Sequence, residues 1–324
     1  MTAKLKINSP NFAADESRLL ANFAYQKNRV RVQPDGSVIV TPQEYMLQFQ
    51  TERRVPKTGV MLVGWGGNNG STLTASIVAN RHGVTWTTKD GVQRPNYFGS
   101  LTQATTVRLG SDDAGRDVHL PFARLLPMLN PNDLVIGGWD ISSMNIADAM
   151  QRAAVLDYDL QRQLRPHLEA LKPLPSIYYP DFIAANQSDR ADNVIKNASK
   201  QADLEHIRAD IRRFKEANKL ERVIVLWTAN TERFVDVRDE LNGSADALLA
   251  AISRSDAEVS ASQIFAVAAI LEGCPYINGS PQNTLTKGVC ELAEKYQVFV
   301  GGDDFKSGQT KVKSVLVDFL VSAG

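Results

Sequence analysis

From Gly59 to Thr72 the chain reads Gly-Val-Met-Leu-Val-Gly-Trp-Gly-Gly-Asn-Asn-Gly-Ser-Thr, an apolar stretch feeding a glycine-rich turn. The glycines at 64, 66, 67 and 70 carry no Cβ to hold a phosphate away from the backbone. A helix opening beyond them presents free N–H groups and the positive end of its dipole to an anion. Ser71 or Thr72 is the expected cap of a helix beginning near Leu73. The spacing Gly64-x-Gly66-Gly67-x-x-Gly70 departs from GxGxxG, and no clear second strand ends in an acid about 20 residues later. Asp90 has that distance but lies in the polar stretch 85–91. Taken alone, the run supports either a dinucleotide site or a tight strand-to-helix turn without a ligand.

Further polar residues follow apolar runs, where open α/β sheets bind ligands. Asp140 closes Leu134-Val135-Ile136-Gly137-Gly138-Trp139 and can accept from ribose hydroxyls; Thr228-Ala229-Asn230-Thr231 follows Val223–Trp227. Each also reads as a cap or a turn. The backbone amides from Gly66 through Gly67, Asn68 and Asn69 can face a pyrophosphate, and Arg190 offers a planar donor fork for phosphate or carboxylate. Gly279-Ser280-Pro281-Gln282-Asn283 and Asp304-Phe305-Lys306-Ser307-Gly308-Gln309-Thr310-Lys311 bring a hydroxyl, two carboxamides and two ammonium groups, a set suited to a phosphorylated polyol. The plainer reading of Lys306 and Lys311 is a basic helix start facing water. His82, His119, His167 and His206 are scattered without metal-ligand spacing, and no GxSxG elbow is present, so neither a metal site nor a serine hydrolase is expected.

Positioning such residues takes a sheet. Apolar runs at 60–63, 134–136, 223–227 and 298–300 are the expected strands, alternating with helices at 73–80, 144–156, 158–171, an amphipathic stretch around 204–214, 264–271 and 313–321. That alternation predicts an α/β fold, a doubly wound, mostly parallel Rossmann-like sheet. Val30–Val40 alternates about Asp35-Gly36, a hairpin signal within an amino-terminal β appendage over residues 1–55. Residues 85–120 read as a long polar, glycine-containing excursion. The expected division is an appendage over 1–55, a nucleotide domain over 56–275 and the start of a second, catalytic α/β domain over 276–324.

Composition closes off other classes. The 324 residues are 43% hydrophobic, enough for a large core, and 36 basic against 36 acidic side chains give zero formal charge. Nothing in the overall charge favours nucleic acid or an anionic membrane. Cys274 and Cys290 lie in no CxxC or metal pattern, and neither a signal peptide nor a membrane span is apparent, so a reduced, soluble, cytoplasmic protein is expected.

Seven blocks are more specific: Gly64–Ser71, Gly99–Ala104, Gly138–Ser142, Ile183–Gln187, Leu226–Arg233, Asn278–Thr284 and Gly302–Lys311. In this order they resemble the eukaryotic myo-inositol-1-phosphate synthase family. The resemblance implies NAD surrounded by Gly66, Gly67, Asn68, Asn69, Asp140, Ser176, Ile177, Gln187, Arg190, Thr228, Ala229, Asn230, Thr231, Gly279, Ser280, Asp304 and Ser307. It places Gln282 and Asn283 against substrate and makes Lys306 and Lys311 catalytic, with Lys306 polarising a ketone and holding charge on an enolate. The implied reaction converts D-glucose 6-phosphate to 1D-myo-inositol 3-phosphate by internal oxidation, enolisation, aldol cyclisation and reduction, in a homo-oligomer, a tetramer by resemblance. Family members continue beyond Gly324 and carry further catalytic lysines there, so a fragment or short isoform is expected, prone to aggregation and inactive alone. A simple NAD-dependent dehydrogenase and a non-catalytic NAD-binding subunit are the alternatives.

Overall fold

Successive apolar residues in a strand need cover on both faces, and the run before the glycine turn receives it. In the computed structural model, which describes residues 5–305 and 308–323, that run is β1 (Thr58–Val63). It lies inside a six-stranded sheet with β2 (Val135–Asp140), β3 (Leu174–Pro175), β4 (Arg222–Trp227), β5 (Tyr276–Asn278) and β6 (Val300–Gly301). The spatial order is 3-2-1-4-5-6, and every neighbouring pair is parallel. That is the order of a dinucleotide-binding sheet, with its crevice where the order reverses between β1 and β4.

Alternation along β1 assigns the two faces. Met61 and Val63 join Trp139, Val223 and Val225 in a core completed by α4 (Lys200–Ala217), α5 (Ala245–Ser253), α6 (Ala261–Leu271) and α7 (Lys287–Tyr296). Leu62 points the other way, into a core with α1 (Asn68–His82), α2 (Ile146–Ala153) and α3 (Tyr158–Leu168). Helix α6 is buried at every residue from Ala261 to Ile270, as its nearly unbroken apolar sequence requires. Its start is fixed by a capping box in which Ser260 Oγ accepts from Gln263 N and Gln263 Oε1 accepts from Ser260 N. Phe265 of α6 meets Trp139 edge-on at 5.1 Å, and Trp139 Nε1 donates to Asp210 Oδ2 at 2.8 Å. Fully burying side chains such as Ile264 and Phe265 stabilises the fold by about 2 kcal/mol each. The last helix, α8 (Gly308–Ala323), exposes Val315, Leu316, Phe319 and Leu320.

Several expectations shift. Helix α1 starts at Asn68 rather than Leu73, and Ser71, one of the two residues expected to cap it, lies inside the helix with its Oγ donating to Gly67 O at 2.7 Å. A boundary at 275/276 would cut the sheet, since β5 and β6 are its fifth and sixth strands. The polar stretch 85–120 is built largely of two antiparallel hairpins, Trp86–Thr88 with Gly91–Gln93 and Thr106–Ser111 with Asp117–Pro121. Their strands are short and polar, which hides them from a periodicity reading.

The contacts divide the chain into two units, Lys57–Pro95 with Pro131–Gly324, and Met1–Pro56 with Asn96–Asn130. In the latter, the expected hairpin is longer than its alternating core, with Arg18–Val32 paired to Val38–Glu52 in register and Phe12–Ala14 on the outer side. Pro42 lies opposite Asn28 within it. A proline is tolerated there because the Val38–Glu52 strand is an edge, paired on one side only.

Candidate functional site

The carboxyl ends of β1, β2, β4 and β5 surround a cavity of about 760 Å³, the volume class of a cofactor or metabolite pocket. Its floor is the glycine turn. Gly64 adopts φ +82°, and a Cβ there would sit 2.6 Å from Ala229 Cα on the neighbouring loop. At Gly70 a Cβ would meet Trp65 O at 2.4 Å, so the turn closes only without side chains. Among the described residues no side chain caps the first amides of α1, and its first turn carries no acid. An anion at Asn68 and Asn69 therefore meets open N–H groups and a favourable dipole.

On the β2 side stands Asp140, 3% exposed, whose Oδ1 accepts from Ser142 N at 2.9 Å. Burial pushes its carboxyl up, while the Ser142 N–H and the Arg190 guanidinium pull it back. Arg190 Nη2 lies 3.9 Å from Asp140 Oδ1, at the end of a short 3₁₀ helix (Ala185–Arg190) that also brings Gln187 to the wall. Ser176 and Ile177, just past β3, are buried beside them. Gly66 is not itself on the cavity wall but abuts Asp140, its ideal Cβ lying 3.2 Å from Oδ2.

The opposite wall is the loop after β4. Thr228 ties β4 to β1, its N and Oγ1 both donating to Val63 O, at 2.8 and 2.9 Å. Ala229, Asn230 and Thr231 continue the lining, and Gly279 and Ser280 follow from β5, with Ser280 Oγ donating to Ala229 O at 3.0 Å. Asp304 and Phe305 complete the rim, with Phe305 N donating to Gly279 O at 3.1 Å. Of the residues expected around a cofactor, the structure thus gathers all but Gly66 and Ser307 into one wall. Lys306 and Ser307 fall outside the described residues, and Lys311 is described only as backbone of α8.

Gln282 and Asn283, expected against substrate, both make hydrogen bonds to neighbouring loops. Gln282 is 1% exposed, and its side chain lies between Glu232 N and Asn278 Oδ1. Asn283 accepts from Val235 N and donates to Val235 O. Both carboxamides are spent on loop geometry, because each loop carries buried backbone groups that a side chain must satisfy.

Sequence reasoning passed over Glu232, Tyr179 and Phe305. Glu232, 4% exposed on the cavity wall, accepts from Ser262 N at 3.2 and 3.3 Å at the start of α6. Burial raises its carboxyl to about 7. Tyr179 donates to Asp203 Oδ2 at 2.6 Å, and the Lys200 ammonium sits 4.6 Å from its ring centroid. An acid beside a buried helix start was the available signal for Glu232; nothing in the sequence marks Tyr179.

The residues present fit a dinucleotide: an uncapped helix start behind a turn that any Cβ would obstruct, and an acid at the end of the adjacent strand. Comparison with known proteins agrees. A family model described as myo-inositol-1-phosphate synthase, of NAD-binding type, matches residues 58–322. An inositol-3-phosphate synthase of Spirodela polyrhiza is 55% identical over 99% of this chain and 63% of its own length. One from Dictyostelium discoideum is 53% identical over 100% of this chain and 63% of its own. The crystal structure of inositol-3-phosphate synthase from Caenorhabditis elegans superposes with a TM-score of 0.95 at 56% identity, over 99% of this chain and 63% of that one. The chain thus spans 63% of the length of these relatives.

Proposed function

The chain belongs to the myo-inositol-1-phosphate synthase family, and from that premise we propose that it holds NAD in the cavity at the β1/β4 crevice and serves an isomerase that turns D-glucose 6-phosphate into an inositol phosphate. The observation that carries the reading is the convergence of the uncapped α1 start, Asp140 and the Thr228–Thr231 loop on one cavity at the point where strand order reverses. Bound NAD would take up a hydride and return it, so no cofactor is consumed overall.

This chain's own residues supply binding and orientation. Amides at Asn68 and Asn69 receive the pyrophosphate, Asp140 accepts from a ribose hydroxyl, and Arg190 faces the same side. The β4–β5 wall, with Thr231, Ser280 and Asp304, lies across the crevice and receives the nicotinamide end. Lys306 and Lys311, just beyond that wall in sequence, hold the negative charge that develops on the sugar phosphate. Gln282 and Asn283 support the loop that faces it. The family's homotetramer and a cytoplasmic location complete the proposal. The second is supported by Cys274 and Cys290 both being free thiols.

Two measurements test the reading. Calorimetric titration of the 324-residue chain should show NAD binding; a folded chain that binds none overturns the cavity assignment. In the longer parent, Lys306→Ala should leave NAD bound and lower product formation by about 10² or more, the scale of a lost preorganised charge. Turnover within twofold of the unaltered enzyme would return Lys306 to a solvent-facing role.

A further inference from the structure

We infer that Glu232 is the anionic counterpart of the oxidised nicotinamide ring, a residue that distinguishes the two redox states of the cofactor by giving up a proton to solvent when NAD binds and keeping it when NADH binds. The inference rests on the reading of the cavity as an NAD site with the nicotinamide end on the β4–β5 wall.

Glu232 stands on the cavity wall directly after Thr231, on the side that also presents Ser280 and Asp304, and is buried there. Its charge is not needed to close α6. The Ser260–Gln263 capping box already does that, and both Glu232 oxygens accept from a single further amide, Ser262 N. Among the described residues no cation pairs with it. Arg233, next in the chain, turns to Glu258 at 2.8 Å, and the Lys200 ammonium of α4 donates to Val259 O at 2.6 Å beside the Tyr179 ring. Asp256, in the loop before α6, is held by Arg254 at 3.0 Å. The other titratable groups on the surrounding elements are Asp203 on α4, bonded to Tyr179, Tyr276 on β5, and Asp303 and Asp304 after β6. Burial holds both phenols above their ordinary value, so they stay neutral, and the rest are acids. A buried carboxyl in such company is driven towards its neutral form, and burial raises this one to about 7. What it lacks is a cation. The oxidised nicotinamide ring carries a delocalised positive charge that hydride uptake removes, so Glu232 ionises beside the oxidised ring and holds its proton beside the reduced one.

The test is calorimetric titration of the 324-residue chain with NAD and with NADH at pH 6.5, each in two buffers of different ionisation enthalpy, which counts the protons exchanged. NAD should release about half a proton or more, the amount that follows when a nearby cation lowers a carboxyl at about 7 by one unit or more, and NADH close to none. Glu232→Gln keeps an oxygen for Ser262 N and imitates the protonated acid. It should abolish the release and, at pH 8, lower the ratio of NAD to NADH affinity about tenfold or more. Equal release with both cofactors overturns the inference, as does release that survives Glu232→Gln. So does an unaltered chain that binds NAD and releases no proton. A folded chain that binds neither cofactor overturns the cavity reading together with the inference. If the glutamine variant does not fold, the unaltered chain decides: its ratio of NAD to NADH affinity must rise about fivefold or more between pH 5.5 and pH 8, and a constant ratio overturns the inference.

Discussion

The two sides of the crevice are built by opposite means. On the β1 side the turn from Gly64 to Gly70 works by lacking side chains, with backbone packed against backbone at distances no Cβ survives. On the β4–β5 side the wall is a web of buried polar side chains: Glu232 on the start of α6, Gln282 between Glu232 and Asn278, and Asn278 Nδ2 donating to Gln282 O and Asp303 Oδ1 at 3.0 Å each. A wall of the first kind tolerates no added atom, whereas one of the second kind tolerates no lost partner.

The largest effect should come from adding an atom to the first side. Gly70→Ala puts a Cβ 2.4 Å from Trp65 O, so the turn must open; a loss of about 3 kcal/mol or more in unfolding free energy from denaturant titration, with NAD binding abolished, is the expected outcome. Wild-type stability would show that the turn gives way freely and erase the contrast.

Next comes loss of a partner on the second side. Asn278→Leu fills the volume but strips two donated and two accepted bonds from a residue 1% exposed, which should cost about 2 kcal/mol or more. NAD affinity should fall far less than in Gly70→Ala. Equal losses of affinity would mean that both walls grip the same part of the ligand.

Glu232 adds a dependence on pH that the glycine side lacks. Its carboxyl rises from 4.5 to about 7 on folding, so the folded state holds a proton that the unfolded state releases. Stability from this group is complete below about 4.5 and is lost as pH climbs towards about 7. Chemical denaturation at pH 5 and pH 7.5 should show Glu232→Gln flattening that fall; an unchanged slope would assign it to other groups.

The smallest effect should be Thr228→Val, which keeps the backbone bond to Val63 O and drops only the hydroxyl's, for about 1 kcal/mol.

The same contrast explains what was legible in the sequence. Glycines and apolar runs act through local sterics and two-sided burial, so β1, the turn, β4 and α6 could be read where they stand. The acid sought about 20 residues past the turn lies instead at Asp140, because residues 85–130 intervene before β2. The helix cap was misplaced, for Ser71 lies inside the helix with its hydroxyl on a carbonyl. Gln282 and Asn283 carry the chemistry of ligand contacts, yet their roles follow from which loops need satisfying, and only the fold decides that.

The order 3-2-1-4-5-6 also sets a schedule for synthesis. Val63 leaves the ribosome long before Arg222, yet β4 is one of the two strands that must flank β1. At roughly 5 to 20 residues per second, that gap amounts to some 10 to 30 s during which an apolar strand waits with an open edge. Its other neighbour, β2, arrives first but closes only one side. The central strand of the nucleotide sheet is therefore the nascent chain's point of exposure, where a chaperone that shields short apolar segments would be needed most.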